Sequence, residues 1–349
     1  MKKSIIAVAA ASAMVAGLTA CGGSSSTTTT AAATTAAAAK TEEKKDDAAA
    51  PAAESAWKPN GTVSIVIPAG AGGDTDLTCR IFAQYAKEKT GVDFVVVNAS
   101  GASGSVAANQ VKSAAADGQT VLYGHCLLSV ANIAGITDYD FRAFKLGPNF
   151  AKNPAQQFYV NADRYKNLTE FLDAAKANPG GLKACTEVGA YTYYELLTFE
   201  KAAGIDLDLV DAGSASDKIA AMLGGQVDLM PGTYMLNKDY ITSGQFICLG
   251  VPAEENYDML ANAGIQTFKE QGVDMAFPDT DYSFYFPEGT SDDVITYFDN
   301  LCEELLSDET VIKALTDMDV IPYYLNHEDA YANDEKTYNA IKEIADSLK

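Results

Sequence analysis

Val63-Ser-Ile-Val-Ile67 runs directly into Pro68-Ala-Gly-Ala-Gly-Gly-Asp-Thr-Asp-Leu-Thr-Cys-Arg80. The first five residues read as a short, largely apolar strand. The glycines break it, and Leu77, Ile81, Phe82 and Tyr85 then recur at helical spacing. A strand, a glycine loop and a helix start together aim unpaired backbone N–H groups, and the positive end of the helix, at one point. This is an anion-holding device made of backbone. It holds no lysine, so its target is smaller and less charged than a nucleoside triphosphate.

Downstream, the same unit recurs. Short apolar runs predict strands at 62–67, 93–97, 120–124, 156–160, 183–186, 207–210, 226–230, 246–250 and 283–286. Amphipathic stretches predict helices at 76–89, 104–116, 168–178, 192–203, 215–223, 233–243, 291–306, 309–317 and 328–347. This alternation implies an α/β fold with mostly parallel sheets flanked by helices. Residues 57–349 exceed what one core usually holds, so two lobes are expected. A crossing at Pro148–Pro154 and a return near Pro278–Tyr285 would build lobe 1 from 57–155 plus 280–349, and lobe 2 from 156–279. Asn167 with Glu170, Thr192 with Glu195, and Ser214 with Asp217 have the spacing of capping boxes. Gly180-Gly181 and Gly204 mark helix ends.

Upstream, Met1-Lys2-Lys3 and the apolar run Ile5 to Leu18 describe a signal peptide over residues 1–20. The run is too short to span a bilayer. Leu18-Thr-Ala-Cys21 looks like a lipobox, which would make Cys21 the lipidated N-terminus of the mature chain; ordinary cleavage beside a coincidental cysteine is the alternative. Residues 21–56 are almost entirely Ser, Thr, Ala, Lys, Glu and Asp, a composition that cannot bury a core and reads as a disordered tether.

Lys and Arg total 25 against 47 Asp and Glu, a net charge of −22. Such a chain is a poor partner for nucleic acid, and has no basic patch for a membrane surface. An anionic ligand is still allowed, because pocket chemistry is local. Six cysteines occur at wide spacing, with no C-x-x-C pair and no zinc pattern. Most lie in apolar runs and read as buried thiols. No metal and no cofactor is expected.

Four strand-to-helix loops could face one cleft at the carboxyl ends of strands. They are Pro68 to Asp76, Asn98 to Gly104, Glu187 to Thr192, and Asp211 to Ser216. Each alone is an ordinary βα turn. Two in each expected lobe, with the same Gly/Ser/Thr bias, suit a ligand clamped between lobes.

These residues resemble a family. Trp57-Lys-Pro59, Gly72-Gly73-x-Thr-Asp76-x-x-x-Arg80, Asn98-x-x-Gly-Ala-x-Gly104 and Asp117-Gly-x-Thr120 come in its order. Asn178-Pro179-Gly180, Leu223-Gly-Gly-Gln-Val-Asp228, Ser243-Gly244 and Pro287-x-Gly-Thr290 continue it. Together they are similar to the TctC/Bug family, the extracytoplasmic solute-binding proteins of tripartite tricarboxylate transporters. The resemblance implies a two-lobed flytrap fold, a small carboxylate held between the lobes, and membrane permease subunits as partners. It also implies binding positions at Ala69, Gly72, Gly73, Thr75 and Asp76, then Ser100 and Gly101. The second lobe would add Gly189, Ala190, Tyr191 and Thr192, with Gly213 and Ser214. Asp76 has a second reading as a helix N-cap paired with Arg80.

The chain departs from the family pattern in two places. Ala190-Tyr-Thr-Tyr-Tyr194 stands where Gly/Ser residues and a histidine are common, and Asp211-Ala-Gly213 where Tyr-Lys-Gly is common. A lost cation and added tyrosines point to a ligand less anionic than citrate: a monocarboxylate, an amino acid, or an aromatic acid stacked on Tyr191. His125, just after a predicted strand, is a further candidate ligand residue, and His327 reads as a surface residue. The phosphate-loop, zinc-protease and nucleophile-elbow motifs are missing from the sequence. The expectation is a receptor and not an enzyme. A secreted hydrolase using a carboxylate pair and a surface adhesin or sensor on the same fold are the alternatives.

Overall fold

The computed structural model describes residues 55–348. The expected signal peptide, Cys21 and nearly all of the expected tether lie outside the described residues.

The quoted stretch forms β1 (Val63–Ile67) and α1 (Asp74–Thr90), followed by β2 (Phe94–Asn98), α2 (Ser105–Lys112), β3 (Thr120–Gly124) and α3 (Leu127–Ile133). Strand β1 pairs parallel with β2 and β3 and is buried on both faces. Val63, Ile65 and Ile67 meet Phe82, Phe284 and Phe298, while Val66 and Leu122 face Ala107, Val111 and Tyr285. A strand covered on both sides reads as a continuous apolar run, which is why this one was visible in the sequence. Trp57 packs edge-on against Tyr297, with ring centroids 5.1 Å apart.

Strand β4 (Phe144–Asn153) leads to β5 (Gln157–Asn161), and with it the chain changes sheets. The next elements are α4 (Leu168–Ala177), β6 (Lys183–Thr186), α5 (Tyr191–Ala203), β7 (Asp208–Asp211) and α6 (Ala215–Leu223). Then come β8 (Met230–Gly232), α7 (Tyr234–Thr242), β9 (Phe246–Gly250) and α8 (Asp258–Asn262). Here β5 is flanked by antiparallel β8 and β9, and β6 pairs parallel with β7. A parallel bridge from Ala184 to Leu229 links the two small sheets. Phe158, Phe171, Phe199 and Phe268 fill their core.

The chain then returns through β10 (Thr280–Pro287), α9 (Asp292–Leu306), α10 (Glu309–Thr316), β11 (Ile321–Leu325) and α11 (His327–Ser347). The large sheet has the order β11-β4-β10-β3-β1-β2, its parallel block extended by antiparallel β10, β4 and β11.

Two strands and two helices were not anticipated. Gly147-Pro148 disguised β4; Pro148 falls where the register with β10 shifts, so the missing N–H breaks no ladder bond there. Pro322 sits on edge strand β11, where a proline is tolerated. Helix α3 is apolar almost all round, and α8 is only five residues long, so neither shows a face. The strand expected at 226–230 begins at its far end, at Met230.

Of the three capping boxes, only Ser214 with Asp217 closes fully. Asn167 caps α4, but Glu170 reaches back to the Lys166 N–H instead. Helix α5 starts one residue before Thr192, with Ala190 as N-cap, and Glu195 instead accepts from the Gln156 N–H at 2.8 Å. His327 is half-buried and bonded to Asp299, not a free surface residue. The five described cysteines are free thiols, four of them buried.

The junction between the large and small sheets is apolar. Cys126, Val130 and Ile341 meet Tyr191, Tyr194 and Phe277 there, and the Ala155 N–H donates to Asp279 across the two chain crossings at 3.1 Å. Beside it Asp334 accepts from the Tyr285 hydroxyl at 2.8 Å, and Asp281 from Asn333 at 2.6 Å.

Candidate functional site

A cavity of about 370 Å³ opens between the carboxyl ends of β1 and β3 and the loops after β6 and β7, lined from both sides. All four glycine/serine loops contribute to it. Ala69, Gly73 and Thr75 line it from the first loop, Ser100 and Gly101 from the second, Ala190, Tyr191 and Thr192 from the third, and Gly213 and Ser214 from the fourth. His125 lines it too.

Three expected positions do not line the cavity: Gly72, Asp76 and Gly189. Asp76 is 2% exposed. It is not the N-cap of α1, which is Gly73; it sits at the third helical position and accepts from the Gly72 N–H at 2.9 Å. Arg80 donates to both of its oxygens, at 3.0 and 2.8 Å, and Asn98 donates at 2.9 Å. Burial alone would raise its pKa, but Arg80, the Gly72 N–H and Asn98 outweigh this and hold it below the ordinary value. Asn98 also donates to the Ala69 carbonyl at 3.0 Å. Asp76 thus fixes the shape of the loop from behind and has its acceptors committed. Gly189 abuts Ala134 and Ile136 instead.

The second loop carries a run of positive φ: Gly101 (+119°), Ala102 (+48°), Ser103 (+50°) and Gly104 (+88°). Two non-glycine residues in this region are strained and need outside support. Glu187, from the opposite side of the cavity, supplies it by accepting from the Ser103 N–H at 3.0 Å. The two sides also approach at Gly70, where a Cβ would lie 3.5 Å from that of Ser214.

On the other wall, the Thr192 hydroxyl lies 2.7 Å from that of Thr186 and accepts from Lys218 Nζ at 3.2 Å. Lys218 lies four residues after the N-cap Ser214, hence on the same face of α6. It is 8% exposed, and no carboxylate pairs with it among the described residues. The cation expected to be lost from this half is therefore present, delivered by a helix and not by the loop. Its signal in the sequence was the capping box itself, which aims the first turn of α6 at the cavity. Asp74 and Glu187, inside two of the expected loops but not among the expected binding positions, also line the cavity, as do Gln156 and Asn237, which were not anticipated.

The Tyr191 ring is 4% exposed and packs nearly perpendicular to Phe277 and His125, and its hydroxyl donates to the Pro278 carbonyl. It forms a wall and offers no free stacking face. His125 lies between Tyr191 and Tyr282. Burial lowers its pKa below the ordinary histidine value, with Asp74 pulling it up and Lys218 pushing it down, so the ring is neutral near pH 7. The cavity therefore holds one ammonium without a carboxylate partner and a neutral imidazole, while the Gly72, Gly73 and Thr75 N–H groups at the start of α1 already donate to Asp76, Gly70 and Asp74.

The fold and chain have known counterparts. A UPF0065 protein from the gbd 5′ region of Cupriavidus necator is 26% identical over 306 residues, covering 85% of this chain and 91% of that protein. The solved periplasmic binding protein BugD matches with a TM-score of 0.74 at 22% identity, over 83% of this chain and 98% of that one. MatC from Rhodopseudomonas palustris, solved with bound malate, matches with a TM-score of 0.73 at 21% identity, over 84% and 100%. At these identities the two structures speak for the fold. The family model for tripartite tricarboxylate transporter family receptors matches residues 78–348, most of the chain. The chain belongs to that receptor family.

Proposed function

We propose that this protein is an extracytoplasmic receptor that binds one small carboxylate-containing solute in the cavity and passes it to the permease subunits of a tripartite tricarboxylate-type transporter, without turning it over. The observation that carries this reading is Lys218. A buried ammonium with no carboxylate partner is costly, and the cost falls when an anion enters beside it. The start of α1 and the Ser100-Gly101 loop line the facing wall, and the positive end of that helix favours an anion. In this reading residues 57–155 with 280–349 act as one lobe and 156–279 as the other, closing on the ligand by a hinge at the two crossings. Residues 1–20 act as a signal peptide and Cys21 carries the lipid anchor. No described helix is long and apolar enough to cross a membrane.

The test is a thermal-shift panel of carboxylic and amino acids on the mature chain, followed by calorimetry and by mass spectrometry of the recovered solute. A ligand at a hundred times its Kd adds about 2.7 kcal/mol of stability, a rise of several degrees. The expected result is 1:1 binding with the solute recovered unchanged. No shift with any carboxylate at millimolar concentration would overturn the reading, and product formation would replace it with an enzyme.

A further inference from the structure

Lys218 is the one cation among the described residues lining the cavity, whereas Asp74 and Glu187 bring carboxylates to it. Asp217 lies at the rim, exposed, and is committed to the cap of α6. The partners of the two inner acids are neutral. Asp74 accepts from the Tyr282 hydroxyl at 2.8 Å and the Thr75 N–H at 3.0 Å, and Glu187 accepts from the Ser103 N–H. A carboxylate has about four acceptor sites and an ammonium three donors. Asp74 thus keeps acceptor capacity, and Lys218 keeps two donors after Thr192. They come from opposite walls, Asp74 from α1 and Lys218 from α6.

We propose, building on the receptor reading above, that the ligand is a zwitterion with a single carboxylate, an amino acid whose carboxylate meets Lys218 and whose ammonium meets Asp74. One cation serves one carboxylate. A second carboxylate would lie against Asp74 and Glu187 with no cation to offset the repulsion, so the same acids that welcome an ammonium exclude a dicarboxylate. A simple amine would leave Lys218 unpaired, and a simple monocarboxylate would leave Asp74 without its counter-charge. A neutral His125 offers one N–H donor but no positive charge for a second carboxylate. A ligand held at both ends also bridges the two walls.

Competition calorimetry on the wild-type chain tests this with the twenty L-amino acids against succinate and malate. At least one amino acid with a single carboxylate is expected to bind tenfold or more tightly than either diacid. Asp74→Asn keeps an acceptor for Tyr282 and is expected to weaken that amino acid by about tenfold or more while weakening succinate little or improving it. Glu187→Gln shifts preference in the same direction. Tighter binding of succinate, malate, aspartate or glutamate than of every amino acid with a single carboxylate overturns the inference and leaves the receptor reading standing. So does an Asp74→Asn variant that folds and keeps the wild-type preference. Binding by neither class overturns the inference alone, since the receptor reading falls only if the wider carboxylate panel also shows no binding, and the wild-type comparison decides even if a variant does not fold.

Discussion

Lys218→Met is expected to remove ligand binding while leaving the protein at least as stable as before. Lys218 is buried and its one hydrogen bond goes to the neutral Thr192 hydroxyl. Holding an ammonium there costs free energy in the unliganded protein, and a methionine of similar length fills the space without that cost. Thr192 keeps its bond to Thr186, so the substitution strands no polar group on that side. A bound carboxylate loses its charge partner in a low-dielectric site, a loss of about 2–5 kcal/mol, or roughly thirtyfold or more in Kd. Calorimetric titration paired with a melting curve checks both halves. Wild-type affinity in the variant would show that Lys218 does not meet the ligand. A large fall in melting temperature would show that it serves the fold.

Asp334→Asn is expected to stabilise the protein at pH 8 and to make little difference at pH 4. Asp334 is 3% exposed, and burial, with Asp281 adding repulsion against the bond from Tyr285, raises its pKa to about 7. Burial also raises that of Asp281 to about 6, against the pull of Asn333 and Lys152. An unfolded aspartate titrates near 3.9. Below that, both states hold the proton and the folded state carries no penalty. As pH rises toward 7 the unfolded chain releases its proton while the folded one retains it, so stability falls across this window and levels off above it. Buried Glu195, also raised by desolvation, acts in the same direction. The accumulated penalty at Asp334 is on the order of 2–4 kcal/mol above pH 7. Asparagine keeps an acceptor for the Tyr285 hydroxyl and carries no charge. Denaturant melts from pH 4 to 8 should show a wild-type curve that declines and a variant curve that declines less. Parallel curves would mean that water or a shifted side chain relieves the acid.

The first three strands of the large sheet were readable because glycine and apolar runs punctuate them sharply, Ile67-Pro68 and Gly91 above all. The interruption at Gly147-Pro148 concealed β4, since it is the neighbouring strands, not local propensity, that make an extended partner of it. The loops that line the cavity were legible for the same reason as the strands, because a βα turn needs small residues where backbone must approach a ligand. Charge was harder to place. Asp76 looked like a ligand group from its position in the motif, yet Arg80 and Asn98, the latter on the next strand, occupy it. Lys218 carries no signal of its own in the sequence, and only the capped start of α6 and the packing of that helix turn it inward. Sequence spacing located the loops; which side chains face inward was decided by contacts between distant segments.

The placement of the one tryptophan also determines what light can report. Trp57 rests against Tyr297 and Phe298, both on α9, and is not among the residues that line the cavity. Its emission will follow the loss of the large sheet's core and stay dark to a solute arriving at Lys218. Tyrosine absorbance is the better optical probe, because Tyr191 and Tyr282 flank His125 beside the cavity. A flat tryptophan titration of this receptor would therefore describe the location of its fluorophore and not the emptiness of its site.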